Sequence, residues 1–295
     1  MSSKWYEFRI AVSPEVKVSF SDFLFDIGAQ GINENVDFPN SLQAYFSEEK
    51  KKTAEQQIIE FRKSLKKSHP NLPELKLEIS AVPDENWAET YKKYYVAQYL
   101  TDLFFLRPKW DQETTIPTGT IPIIMDPGQA FGTGLHPSTR LCLKILQSQI
   151  LENIGKENMR CLDVGTGSGI LALAAYHLGV KEVFGIDNDP IAIEVAQENM
   201  RTNNASSIEL STADIRELKA PFEFVISNIL LETHRELSGN YERLVPKGGL
   251  LLLSGLLGYQ KLDLLKFMTP LGFALLESRY FQEWACFLFV KREIQ

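Results

Sequence analysis

The stretch Asp163-Val164-Gly165-Thr166-Gly167-Ser168-Gly169 decides the fold of this 295-residue chain. An apolar run precedes it and a run of small apolar residues follows, so it predicts the turn between a buried strand and a helix. Glycines at these positions let the backbone bend sharply and approach a ligand, and the amides of the following helix favour a polar group. We therefore predict a nucleotide-like ligand here; the alternative is a purely structural bend.

A second acid stands where the next predicted strand ends. The carboxylate of Asp187 is placed to accept hydrogen bonds from the ribose hydroxyls of an adenosine group. Asp189 directly precedes Pro190, which is typical of a helix N-cap followed by proline in the first turn. We assign the two aspartates separate roles, cofactor binding and helix capping.

The spacing of the glycines favours S-adenosylmethionine over a dinucleotide. The pattern is Gly-x-Gly-x-Gly rather than Gly-x-Gly-x-x-Gly, so it has no glycine at the third position of the dinucleotide pyrophosphate turn. S-adenosylmethionine has no pyrophosphate, and its ammonium group suits an acidic turn that begins at Asp163 and includes Gly165 and Gly167. The alternating segments 274–281 and 285–290 predict an antiparallel hairpin at the sheet edge. Such an edge resembles class I methyltransferases more than dehydrogenases.

The order of predicted elements indicates two domains. From residue 126 to 295, strands and helices alternate as in an α/β fold with a mostly parallel sheet. Residues 1–82 are predicted as strand, helix, strand, strand, helix, strand, which fits a small ferredoxin-like α+β domain. Residues 83–125 are predicted as a linker and connecting region. Its aromatic residues are spaced for one packed helix face: Trp87, Tyr91, Tyr94, Tyr95 and Tyr99.

Composition and charge exclude several classes of protein. With 31 basic and 38 acidic residues the net charge is -7, and no segment concentrates basic residues as a nucleic-acid groove does. The acidic balance favours a basic partner. The start lacks the apolar core of a signal peptide, and the most apolar stretch, 248–259, is shorter than the roughly 20 residues that span a bilayer. We expect a soluble, cytoplasmic protein whose three separated cysteines bind no metal.

Two further stretches carry a resemblance to a known family. They are Met125-Asp-Pro-Gly-Gln-Ala-Phe131-Gly-Thr-Gly-Leu-His136-Pro-Ser-Thr139 and Ser227-Asn228-Ile-Leu. Together with 163–169 and 185–190, the chain resembles the bacterial PrmA family, which methylates protein eleven of the large ribosomal subunit. The resemblance extends over nearly the whole chain, from the N-terminal domain to the segment 283–286. It implies S-adenosylmethionine-dependent methylation of lysine side-chain or N-terminal amines in a basic ribosomal protein. We expect a monomer that recognises its substrate through residues 1–82.

The resemblance also implies roles for individual residues. The resemblance implies that Asn228 contacts the cofactor, and we add the hypothesis that its amide orients the neutral amine. His136 either contacts the cofactor or caps the helix that Pro137 begins, and Asp214 either contacts the adenine amino group or ends a turn. The remaining implied contacts, including a loop over the ligand, are Thr139, Gly165, Asp187, Phe131 and Gly132.

Departures from the family pattern leave other functions open. Ser138 stands where family members commonly have threonine, which keeps the hydroxyl. The connecting region lacks a tryptophan-rich pattern, so the docking of the substrate is less defined than the cofactor site. One alternative is the same fold acting on another protein, a small molecule or RNA. Another is a non-catalytic module that binds the cofactor and assists assembly.

Overall fold

The computed structural model describes residues 5–33, 41–68, 70, 72, 74, 76–82, 95–126, 132–152, 159–219 and 221–292. The chain divides into two compact units, Met1–Tyr95 and Val96–Gln295. The elements of the smaller unit are β1 (Trp5–Ala11), α1 (Pro14–Asp26), β2 (Gly31–Asn33), β3 (Ser41–Ser47), α2 (Glu48–Ser68) and β4 (Leu77–Val82).

The smaller unit has the predicted ferredoxin-like order. Its strands are arranged β2-β3-β1-β4, and each neighbouring pair is antiparallel. Phe8 and Ile10 of β1 are fully buried against Phe20 of α1 and Ile58 of α2, so both helices cover one face of the sheet. Helix α2 begins at Glu48, and the two acids in its first turn, Glu48 and Glu49, favour the helix N-terminus.

The larger unit opens with strands that the sequence did not reveal. They are β5 (Gln98–Tyr99), β6 (Phe104–Pro108) and β7 (Ile121–Met125), with β6 and β7 parallel. The region 83–125 was expected to be a connecting region with an aromatic helix face. Tyr99 instead lies in a strand, because the buried run of β6 pairs with β5 and draws this part of the chain into a sheet. Trp87, Tyr91 and Tyr94 lie outside the described residues.

The rest of the larger unit alternates strands and helices, and its elements follow in chain order. They are α3 (Pro137–Glu152), β8 (Arg160–Val164), α4 (Ile170–His177), β9 (Glu182–Ile186), α5 (Pro190–Thr202), β10 (Glu209–Ser211), β11 (Phe224–Asn228), α6 (Leu231–Leu244), β12 (Leu250–Leu257), α7 (Lys261–Met268), β13 (Phe273–Phe281) and β14 (Trp284–Lys291).

The large sheet confirms the predicted fold class. Its order is β10-β9-β8-β11-β12-β14-β13. The first five strands of this order pair in parallel, and β14 pairs antiparallel with both β12 and β13. Strands β8 and β11 are neighbours whose onward connections run to opposite sides. In such sheets a ligand crevice opens at the carboxyl ends of the two strands that flank the reversal.

Within the described part of the chain, no helix is both long enough and apolar enough to cross a membrane.

Candidate cofactor and acceptor site

The glycine turn joins β8 to α4 and cannot carry side chains at two key positions. Gly165, Gly167 and Gly169 all have positive φ values, 73°, 53° and 82°. A Cβ atom on Gly165 would lie 2.7 Å from Ile229 Cγ2, and one on Gly169 would lie 2.4 Å from Met200 Cε. The turn is therefore packed between the exit of β11 and helix α5, in a backbone conformation that favours glycine.

Asp163, the second-last residue of β8, has a buried carboxyl group with one oxygen unused. Its Oδ2 accepts hydrogen bonds from Thr166 Oγ1 at 2.8 Å and from Ala172 N at 3.2 Å. Its Oδ1 is buried and has no hydrogen-bond partner among the described residues. Burial raises the pKa of Asp163 to about 7, although both hydrogen bonds act in the opposite direction. A buried acceptor of this kind fits a cationic donor such as an ammonium group.

Asp187 ties the glycine turn to the end of β9. Its Oδ2 accepts from Gly167 N at 2.9 Å, and its Oδ1 accepts from Asp189 N at 3.0 Å. Each carboxylate oxygen can accept a second hydrogen bond, so both keep capacity for hydroxyl donors. Asp189 itself accepts from Ile191 N at 2.8 Å, which confirms the predicted N-cap of α5.

Asp214 lies beyond β10 and caps a single 3-10 turn. Its Oδ1 accepts from Arg216 N at 2.8 Å and lies 3.3 Å from Arg216 Nε. Asp214 therefore begins a turn, whereas the alternative left open by the sequence was that it ends one. The contact with an adenine amino group stays a prediction.

Thr139 and Asn228 bring α3 and β11 together. Thr139 is buried in the first turn of α3, and Asn228 Nδ2 donates to its Oγ1 at 3.3 Å. Asn228 Oδ1 is buried, and within the described ranges it has no hydrogen-bond partner. The adjacent strands β8 and β11 therefore each carry, at or next to the carboxyl end, a buried oxygen that can accept a hydrogen bond, on Asp163 and on Asn228.

His136 has the geometry of a helix cap. Its Nδ1 accepts from Ser138 N at 3.3 Å and lies 2.7 Å from Ser138 Oγ. The ring packs edge-on against Trp284, with 4.5 Å between ring centroids. Burial lowers the pKa of His136 to about 4, so the ring is neutral near pH 7. Capping, one of the two predicted roles, is observed, and contact with the cofactor stays a prediction.

Asn199 and Ser168 complete the site and were not predicted from the sequence. Asn199 Oδ1 accepts from Asp126 N at 3.1 Å, while its Nδ2 donates to Ser168 O at 2.9 Å. Ser168 Oγ donates to the carbonyl oxygen of Gly132 at 2.5 Å, which places Gly132 beside the glycine turn. Phe131 lies outside the described residues. An asparagine among the apolar positions of α5 was the available signal.

Comparison with known proteins assigns this chain to a family. Residues 4–292 match the family model described as "Ribosomal protein L11 methyltransferase (PrmA)". The chain belongs to the PrmA family. A PrmA relative named ribosomal protein L11 methyltransferase, from Caldicellulosiruptor saccharolyticus, is 31% identical over 302 residues, covering 95% of this chain and 97% of the relative. One from Streptococcus pneumoniae is 33% identical, covering 97% of this chain and 96% of the relative.

A solved structure agrees with this assignment. The crystal structure of ribosomal protein L11 methylase from Lactobacillus delbrueckii subsp. bulgaricus superposes with a TM-score of 0.60 at 25% identity. The match covers 68% of this chain and 100% of that chain. This member of the PrmA family is thus a methyltransferase with the class I S-adenosylmethionine-dependent fold. Across the described residues, no cluster of three His, Cys, Asp or Glu side chains could hold a metal ion.

Proposed function

We propose that this chain transfers methyl groups from S-adenosylmethionine to amines of ribosomal protein L11, on lysine side chains, the N-terminus or both. The observation that carries the proposal is the pair of buried, unused acceptors, Asp163 Oδ1 and Asn228 Oδ1. They lie at or next to the carboxyl ends of neighbouring strands, so the crevice can accept N–H groups from two nitrogen-bearing ligands. The names of the PrmA relatives supply the identity of the acceptor protein.

The cofactor would be held mainly by the β8 and β9 ends. Asp163 would pair with the ammonium group, Asp187 would accept from the ribose hydroxyls, and the glycine turn permits close approach. The other residues proposed to contact the cofactor are Thr139, Gly165, Gly167, Phe131, Gly132, His136, Asn228 and Asp214. When bound, S-adenosylmethionine supplies an electrophilic methyl group on a positively charged sulfur.

The acceptor nitrogen must be neutral before it can attack. For a lysine with an ordinary pKa, forming the neutral amine at pH 7 costs about 4.6 kcal/mol. For an N-terminal amine the cost is about 1 kcal/mol. The site must therefore lower the free energy of forming the neutral amine more for a lysine than for an N-terminal amine.

The histidines of the larger unit nearest the crevice are poor general bases. Burial lowers the pKa of both His136 and His234 to about 4, and each ring already contacts neighbouring polar groups. We therefore assign deprotonation to the loss of water around the amine beside a positive charge. Asn228 Oδ1 would accept an N–H of the amine and orient its lone pair. Leu230, just past Asn228, is 57% exposed, so an acceptor can approach from solvent.

The acceptor protein would be basic and would dock through residues 1–82. The net charge of -7 suits such a partner and disfavours nucleic acid as a partner. The three cysteines are free and buried, which suits the reducing cytoplasm. We propose that the enzyme acts there as a monomer.

The test is methylation with labelled cofactor of ribosomal proteins from a strain that lacks this enzyme. We expect label in one small basic protein, and mass spectrometry of its peptides then locates the methylated amines. Asp187→Ala serves as the matched control, because weak cofactor binding should reduce labelling of the same protein. Label in RNA or in another protein would show that L11 is not the acceptor. No label at all would favour a non-catalytic module.

A further inference from the structure

A buried polar network lies beneath the turn that carries Asn228. His234 and Tyr241 of α6 form its centre, and both are fully buried. His234 Nδ1 lies 3.1 Å from the Tyr241 hydroxyl, and His234 Nε2 lies 2.9 Å from the carbonyl oxygen of Ser254. The Tyr241 hydroxyl also lies 3.3 Å from Ser227 Oγ. The network therefore joins α6 to Ser227 near the end of β11 and to Ser254 in the middle of β12.

The hydrogen-bond partners define which atoms carry hydrogen. His234 Nε2 faces a carbonyl oxygen, which can only accept, so Nε2 donates and a neutral ring accepts at Nδ1. Burial lowers the pKa of His234 to about 4, which keeps the ring neutral. The Tyr241 hydroxyl then has one hydrogen for two neighbours, His234 Nδ1 and Ser227 Oγ. Removing this single oxygen breaks the hydrogen-bonded link between α6 and β11.

The network fixes the backbone on both sides of Asn228. Before it, Ser227 Oγ donates to the last carbonyl oxygen of β8 at 3.0 Å. After it, Ile229 N donates at 3.1 Å to the Ser254 oxygen that also accepts from His234. Asn228 is thus held between two anchored residues.

The same network reaches the partner of the Asn228 side chain. Ser254 Oγ donates to the carbonyl oxygen of Ala285 at 3.0 Å and lies 3.4 Å from that of Ser138. Ser138 precedes Thr139, which accepts from Asn228 Nδ2. Both the backbone and the amide of Asn228 are therefore connected to Ser254.

We propose that His234 and Tyr241 are positioning residues that hold the Asn228 amide in the orientation needed for the amine acceptor. The inference rests on the proposed methyl transfer, because Asn228 contacts the acceptor nitrogen there. The polar atoms of both residues are directed at each other, at Ser227 and at Ser254, and not at the unused Oδ1 of Asn228. A role in stability alone would instead make activity follow the melting temperature.

The experiment compares Tyr241→Phe and His234→Leu with the control Phe222→Leu in the otherwise intact enzyme. Phe222 is buried in the same core, where its ring packs against Phe184 and contributes no hydrogen bond to the network. We expect kcat to fall about tenfold in both network variants, with the acceptor KM and the cofactor Kd little changed. His234→Gln keeps an N–H donor and should restore part of kcat. Phe222→Leu should lose stability and keep kcat.

A second measurement does not depend on turnover. The side-chain amide signal of Asn228 in a ¹H–¹⁵N spectrum should shift or broaden in Tyr241→Phe and stay in place in Phe222→Leu. An unmoved signal, or a kcat that follows the melting temperature alike in all variants, overturns the positioning role. If the wild-type enzyme methylates no amine, the proposed function fails, and the amide signal alone decides the role of the network.

Discussion

The turns after β8 and after β11 lie side by side in the sheet but are held in different ways. The first is fixed largely by its own segment: Asp163 accepts from Thr166 and Ala172, and Asp187 accepts from Gly167. The second depends on residues far along the chain. Asn228 contacts Thr139, while Ser227 is bonded to α6 and Ile229 to β12. The cofactor side is thus a local structure, whereas the acceptor side depends on tertiary packing.

This difference predicts how each turn responds to substitution. Changes in the β8 turn should alter the affinity for the cofactor, since its acceptors are already in place. Changes at the β11 turn should alter turnover, since the orientation of one amide depends on several elements. Substitutions at Asn228, Asp187, Asp163 and Asp214 test that division.

Removing the Asn228 amide should have the largest effect on turnover. In Asn228→Ala we expect kcat to fall by about 100-fold, because the amine loses the group that orients it. The cofactor Kd should change only a few-fold, as measured by calorimetry beside steady-state kinetics. The control is Asn240→Ala, at a half-buried position of α6 where Asn240 Oδ1 accepts from Arg243 at 3.4 Å. An unchanged kcat in Asn228→Ala would show that turnover does not depend on the β11 turn.

Removing the Asp187 carboxylate should weaken cofactor binding. Charge-assisted hydrogen bonds of about 1.5 to 3 kcal/mol correspond to a loss of roughly 10- to 150-fold in affinity. Calorimetry on Asp187→Ala measures this change. Asp189→Ala removes only the cap of α5, so it should lower stability by about 1 kcal/mol and leave affinity intact. Equal losses of affinity in the two variants would contradict their separate roles.

Acidification should weaken cofactor binding through Asp163. The pKa of Asp163 is raised to about 7 by burial, and pairing with an ammonium group favours the charged form. Affinity should therefore fall about tenfold for each pH unit below 7. For the unliganded protein, the same group lowers stability as pH rises from about 4 to 7, because the carboxyl ionises when unfolded but not when buried.

Titration calorimetry between about pH 5.5 and 7 measures the slope of the cofactor affinity. Asp163→Asn should bind more weakly and show a much smaller slope. A slope that persists in this variant would place the titrating group elsewhere.

The smallest effect is expected at Asp214. Its carboxylate already caps a 3-10 turn and pairs with an exposed Arg216. Asp214→Ala should lower stability by about 1 kcal/mol and change cofactor affinity only a few-fold. Thermal unfolding and calorimetry on one preparation measure both quantities. A loss of affinity as large as that of Asp187→Ala would give Asp214 an equal share in binding.

The sequence predicted those parts of the fold whose signals are local. The glycine turn, Asp187 and the N-cap Asp189 lie within one βαβ unit, so their spacing alone locates them. Strands β5 and β6 were missed because β5 has only two residues and pairs with the buried run of β6. The hydrogen-bond network around Asn228 was missed for a related reason. Tyr241 approaches Ser227, and His234 approaches Ser254, only after the chain folds.

Asn199 links the two ends of the segment 127–131. Its side chain binds Asp126 N and Ser168 O, and Ser168 in turn binds the Gly132 carbonyl. Ordering one residue costs about 1 to 2 kcal/mol of conformational entropy. Asp126 and Gly132 are ordered when the chain folds, so binding of a ligand to either residue does not include this entropic cost.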